Sequence, residues 1–178
     1  LETIAVDPAP IFAVADDRLK AGFVSMRDLV KDSFPKIEKL FEQKRLITGV
    51  PTGFFDVDEM TRGLQASDLV IVAARPSMGK TAFCLNIAAH AAATGTGVAF
   101  FSLEMAKESL VQRLLCAEAR VDSQRVRRGT LSDTDFTMLA RAAGVLANCP
   151  IWIDDTPALT LLEMRSKARR LRMENEVG

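Results

Sequence analysis

The chain has 178 residues, 48% of them apolar, with 23 Lys and Arg balanced by 23 Asp and Glu, enough for the core of one ordinary domain plus an appendage. Zero net charge argues against a dedicated nucleic-acid-binding module, whose footprint is a basic excess, and no run of eighteen apolar residues offers a membrane span. Cys84, Cys116 and Cys149, odd in number and set among aliphatic residues, read as free buried thiols, and the N-terminus with Glu2, Asp7, Pro8 and Pro10 lacks a secretory pattern, so a cytosolic chain is expected.

Residues 1–22, with Ile11-Phe12-Ala13-Val14-Ala15, resemble the tail of a helical region. Over 26–45, Val30, Phe34, Ile37 and Phe41 recur at helical spacing between charged residues, which predicts an amphipathic linker helix over 23–48. Pro35 predicts a kink, or a fresh start with Ser33 near the cap. The apolar stripe packs either on its own domain or on another subunit. Thr48-Gly49-Val50-Pro51-Thr52-Gly53 breaks the pattern, and the main domain is placed over 49–178.

Leu69-Val70-Ile71-Val72-Ala73-Ala74 has the apolar, β-branched character of a central parallel strand buried on both faces. An alanine-rich helix over 81–93 follows, with His90 at an ordinary helical position, and then a strand over Val98-Ala99-Phe100-Phe101-Ser102. These predict a right-handed crossover unit. Further helices are expected over 107–119, from the Ser132/Asp135 capping box to about residue 147, and after the Thr160/Glu163 box, with a short strand at Ile151-Trp152-Ile153 between the last two. Alternating strands and helices predict an α/β fold with a mainly parallel sheet.

The chemistry concentrates in Ala74-Arg75-Pro76-Ser77-Met78-Gly79-Lys80-Thr81. A loop that leaves a strand and enters a helix gathers backbone N–H groups around a bowl, and the helix dipole favours anions there. Arg75, Pro76, Ser77, Met78, Gly79, Lys80 and Thr81 are thus the expected nucleotide-binding residues. Gly79 admits the phosphate oxygens, Lys80 reaches the β- and γ-phosphates, and the Thr81 hydroxyl is the expected magnesium ligand. Ala74 stands where the usual pattern starts with glycine.

Glu104, just past the second strand, is the candidate catalytic carboxylate beside Lys80, with a solvated loop position as its alternative. Asp154 and Asp155 serve either a metal or turn geometry. The basic last helix, with Arg165, Lys167, Arg169, Arg170 and Arg172, reads as a solvated face diluted by Glu163, Glu174 and Glu176.

Gly49-Val50-Pro51-Thr52-Gly53-Phe54, then Ala73 through Thr81, then Phe101-Ser102-Leu103-Glu104-Met105, in that order and spacing, resemble the bacterial replicative DNA helicases of the DnaB type. Lys20-Ala21-Gly22-Phe23-Val24, Arg127-Arg128-Gly129 and Ile153-Asp154-Asp155-Thr156-Pro157 extend the resemblance over nearly the whole chain. It implies a RecA-like P-loop ATPase core using ATP and Mg2+, a homo-hexameric ring joined through the linker stripe of Val30, Phe34, Ile37 and Phe41, and single-stranded DNA, primase and a helicase loader as partners. It also implies a bacterial cytoplasmic, nucleoid-associated setting, phosphate and magnesium roles for Lys80 and Thr81, and water activation by Glu104. In family members the magnesium aspartate, the DNA-binding loops and the arginine finger lie beyond the last helix seen here, which leaves Asp154 and Asp155 a secondary or structural role. Pro35 departs from the family's long linker helix. The alternatives kept open are a RecA-like recombinase or protein-remodelling P-loop ATPase without unwinding activity, and a docking module with residual nucleotide binding.

Overall fold

A computed structural model describes residues 24–43 and 47–175. The chain divides into two compact units, residues 1–45 and 46–178. The expected helical tail over 1–22 lies outside the described residues.

In the first unit, α1 (Met26–Gln43) is one helix that contains Pro35. Its start is fixed by Ser25, whose hydroxyl accepts the Asp28 N–H at 3.2 Å and donates to the Asp28 carboxylate at 2.6 Å. The fresh start at Ser33 is not observed. A proline's fixed φ is itself helical, so Pro35 forfeits one donor without ending the helix. Val30, Phe34, Ile37 and Phe41 are all more than half exposed, Phe41 to 81%.

The second unit opens with a clasp. Val50 and Leu64 exchange backbone bonds at 2.8 Å as an isolated antiparallel bridge, around α2 (Phe55–Thr61). Inside it, the buried Asp58 carboxylate accepts the Thr52 N–H and hydroxyl, both at 2.8 Å, and the Gly53 N–H at 3.1 Å. Then follow α3 (Lys80–Ala93), β1 (Val98–Phe101), α4 (Lys107–Ala119), α5 (Ser123–Arg128), α6 (Asp133–Leu146), β2 (Ile151–Asp154) and α7 (Leu161–Asn175). Neither α2 nor α5 was expected, because segments of seven and six residues are too short to show a period. The caps of α5 were nonetheless written locally, as Asp122 accepting the Gln124 N–H at 2.9 Å and Gly129 at φ +67°.

Among the described residues the sheet has two strands, β1 and β2, parallel and in register from Val98 opposite Ile151 to Phe101 opposite Asp154. The expected central strand over 69–74 is not one, and Leu69 and Ile71 are about four-fifths exposed. A β-branched run becomes a strand only where a second backbone meets its N–H and C=O groups, and no described segment does so here. A groove of about 390 Å3 instead lies between Val70 and Val72 on one side and Phe100 to Met105 on the other.

Helix α4 is the centre of the unit. Leu110 and Leu114, one turn apart, bury against Leu85 of α3, with Phe100, Met105, Leu146 and Ile153 packed around them. A second cluster, Ala119, Val121 and Ala142, joins the end of α4 to α6. Burying each such leucine contributes on the order of 1.5–3 kcal/mol, so the helix that follows Glu104 is anchored more firmly than the loop before it. The Ser132/Asp135 box opens α6 as expected, and Thr160 and Glu163 exchange bonds of 2.7 to 3.3 Å at the start of α7. Cys84, Cys116 and Cys149 are free thiols. Only Cys116 is fully buried, and desolvation there pushes its pKa up.

Candidate nucleotide-binding site

The loop before α3 closes with a turn in which the Met78 N–H donates to the Arg75 carbonyl at 3.2 Å. Ser77 at φ +66° and Gly79 at φ +89° turn the chain through left-handed conformations, a local strain for Ser77 that glycine avoids. Gly79 occupies the N-cap position of α3 and supplies no side-chain acceptor, so the first turn keeps its N–H groups for another partner. A Cβ placed on Gly79 would meet nothing within 4 Å. That open space faces the positive end of a fourteen-residue helix.

A cavity of about 570 Å3 begins at this helix end, lined by Ala74, Arg75, Pro76, Ser77, Gly79, Lys80 and Thr81 and, across from them, Glu104, Met105 and Arg113. The expected binding residues and the expected catalytic carboxylate therefore share one chamber. Met78 is exposed and is absent from its lining, contributing backbone to the turn instead. The cavity has the size of ordinary small-ligand sites. An uncapped helix N-terminus, three cationic side chains and one carboxylate suit a triphosphate with a water beside its terminal phosphate. Thr81 offers one hydroxyl oxygen to a magnesium ion, which commonly draws its remaining ligands from phosphate and water.

Arg113 escaped the sequence reading. Its only signal was a cation on the helix after Glu104, and nothing local showed that α4 would turn it towards the phosphate loop.

Asp154 and Asp155 are not brought to this chamber. Asp154 bonds Lys167 Nζ at 2.6 Å and the Thr156 N–H at 2.9 Å, which holds its carboxyl down at about 2, the Lys167 bond being the largest cause. Asp155 accepts the Lys107 N–H at 3.0 Å, and this bond lowers its pKa as well. Both carboxylates are thus engaged within the fold, and no cluster of three or more His, Cys, Asp or Glu suited to a metal occurs among the described residues. No described helix is long and apolar enough to cross a membrane.

Residues 49–178 match the family described as the DnaB-like helicase C terminal domain. The chain belongs to this family. It is 51% identical over 168 residues to the replicative DNA helicase DnaB of Nostoc sp., covering 94% of this chain and 19% of that protein. Against the replicative DNA helicase DnaC of Bacillus subtilis it is 47% identical over 169 residues, 94% of this chain and 37% of that protein. The chain thus spans between a fifth and somewhat over a third of these DnaB-family relatives.

Among solved structures, a DnaB-like replicative helicase, solved for its interactions with primase, superposes with a TM-score of 0.75 at 32% identity, covering 86% of this chain and 36% of that one. A second solved chain, an isolated ATPase domain, gives 0.76 at 33% identity, with 82% and 52% covered. The fold is that of a RecA-like ATPase core, of which the described residues hold the small parallel sheet and its helices.

Proposed function

We propose that the chain carries part of the motor of a replicative DNA helicase, which unwinds duplex DNA by ATP-driven movement along single-stranded DNA as a hexameric ring. The observation that carries this reading is the chamber in which Lys80, Thr81, Glu104 and Arg113 converge on an uncapped helix N-terminus, in a chain of the DnaB family. The loop 75–81 wraps the phosphates with its N–H groups, and Lys80 neutralises their charge. The Thr81 hydroxyl holds magnesium, which when bound offsets charge on the β- and γ-phosphates. Glu104 accepts a proton from the attacking water, and Arg113 orients the terminal phosphate from the opposite wall.

The groove beside this chamber supports the expected magnesium aspartate on a later strand. It shares Lys80, Thr81, Glu104 and Met105 with the chamber. A third parallel strand laid between the 69–74 run and β1 would satisfy both and end beside Thr81. The exposed stripe of Val30, Phe34, Ile37 and Phe41 is the proposed contact between subunits, six copies closing the ring. Primase, a loader and single-stranded DNA are the proposed partners, in the bacterial cytoplasm at the nucleoid; the primase contact draws on the relative solved for its interactions with primase.

In the complete protein, Glu104→Gln is expected to retain ATP binding while turnover falls about 100- to 10,000-fold, the worth of a positioned general base. Lys80→Ala should lose binding itself, and Arg113→Ala should weaken ATP more than ADP. Steady-state ATPase assays with equilibrium nucleotide titrations read all three. Glu104→Gln turnover within threefold of the parent would remove Glu104 from the mechanism.

A further inference from the structure

Glu104 sits on a loop with no regular structure of its own, between the end of β1 and the start of α4. Both ends of that loop are tied to one corner of the fold, the Asp154-Asp155 step that ends β2. Upstream, the Ser102 N–H donates to the Asp154 carbonyl at 2.8 Å, carrying the parallel pairing one residue beyond β1. The buried Ser102 hydroxyl donates to the Met105 carbonyl at 2.7 Å and accepts the Met105 N–H at 3.2 Å, which closes a tight turn around Leu103 and Glu104.

Downstream, α4 begins without a cap of its own. Its N-cap residue, Ala106, has no side-chain acceptor. The acceptor arrives from 48 residues away, where the Asp155 carboxylate takes the Lys107 N–H at 3.0 Å and lies 3.5 Å from Lys107 Nζ. Lys107 is the first helical residue and stands three positions after Glu104. One aspartate therefore caps the helix and locks the far end of the carboxylate loop to the sheet.

We infer that Asp155 is a positioning residue for Glu104, holding its loop at the wall of the nucleotide chamber through the bond to the Lys107 N–H. This rests on the reading of Glu104 as the group that activates water. Ser102 fixes where the loop leaves the sheet, and Asp155 fixes where it returns. Release of the second tie lets the carboxylate wander over distances at which alignment with the attacking water is lost. The phosphate loop, on the opposite wall, is untouched by Asp155, so substrate binding stays as it is.

The test uses the complete protein assembled as it acts, with ATPase kinetics on Asp155→Ala and Asp155→Asn, each in the parent and in the Glu104→Gln background. A misplacement of about 1 Å costs on the order of 100-fold, so Asp155→Ala should lower kcat roughly 10- to 100-fold and leave KM for ATP nearly unchanged. Asp155→Asn keeps an oxygen that accepts the Lys107 N–H and should restore most of the loss. In the Glu104→Gln background, Asp155→Ala should cost nothing further. Lys107→Pro separates positioning from simple helix capping, because proline suits the first helical position while removing the N–H, and Ala106 at φ −63°, ψ 145° is already compatible with a following proline. It should reproduce the kcat loss with the helix start preserved. Parent-like turnover in Asp155→Ala or Lys107→Pro, a parallel rise in KM, or an equal loss in both backgrounds overturns the inference. Parent-like turnover in Glu104→Gln overturns both it and the reading on which it rests.

Discussion

Asp58→Ala tests whether the clasp before the phosphate loop is held by one buried carboxylate. Asp58 is 7% exposed and accepts three hydrogen bonds, while Thr52, which donates two of them, is 1% exposed. After truncation the Gly53 N–H can turn to water, since Gly53 is exposed, and the Thr52 hydroxyl keeps a long 3.5 Å contact to the Phe54 carbonyl. The Thr52 N–H has no such recourse. A buried donor left unpaired costs about 1–3 kcal/mol, and loss of the charge-assisted bond from the hydroxyl adds about 1, so local opening should become easier by about 2–4 kcal/mol. At 1.4 kcal/mol per tenfold, hydrogen exchange of the Thr52 amide in the complete protein should accelerate roughly 30- to 1,000-fold. Asp56→Ala on the same helix, exposed and in the same first turn, controls for the helix dipole and should change exchange little. Burial pushes the Asp58 pKa up, but the bonds from Thr52 and Gly53 and the nearby His90 outweigh it and leave the pKa lowered. A carboxylate with a depressed folded-state value stabilises fully above the unfolded value of about 4 and loses that contribution as pH falls through the folded value. The gap between parent and Asp58→Asn should therefore persist down to about pH 4 and close below it. An Asp58→Ala change under about fivefold in exchange, or an equal change in Asp56→Ala, would refute the argument.

Gly53→Ala should destabilise the same clasp by about 1–2 kcal/mol from its φ of +82° alone, with more from a Cβ that would sit 2.6 Å from His90 Cγ. His90→Ala in that background should recover the contact part and leave the backbone part, read by the same exchange measurement. Phe34→Asp, at a residue 58% exposed on α1, should shift the complete protein from hexamer towards smaller species in size-exclusion chromatography with light scattering, and an unchanged hexamer would remove the stripe from the interface.

The features that could be read from the sequence were those whose partners lie within a turn or two. The Ser132/Asp135 box, the Thr160/Glu163 box and the helix entered at Lys80 each join residues three or four apart, and local propensity already encodes such pairs. The 69–74 run failed for the opposite reason. Its composition sets what it would bury, but its strand state depends on a backbone elsewhere. Asp155 and Arg113 were invisible in the same way, one acting across 48 residues and the other reaching the chamber only because Leu110 and Leu114 fix which side of α4 is buried.

Chain direction explains why such distant residues meet at all. β1 and β2 run parallel, with Phe101 opposite Asp154, so the segments that leave them emerge at the same edge of the sheet, the edge at which open α/β sheets bind ligands. One segment carries Glu104 and the other Asp155. The loop after the 69–74 run delivers Lys80 and Thr81 to the cavity that Glu104 also lines. The division of labour then follows from what each side chain touches. Glu104 lines the open cavity, as a group that must move a proton requires. Asp154 and Asp155 spend their lone pairs on Lys167, Thr156 and Lys107, as groups that set geometry require. Two neighbouring aspartates at a strand end suggest a metal site when read as sequence, and their hydrogen bonds make them the frame of the carboxylate next to them instead.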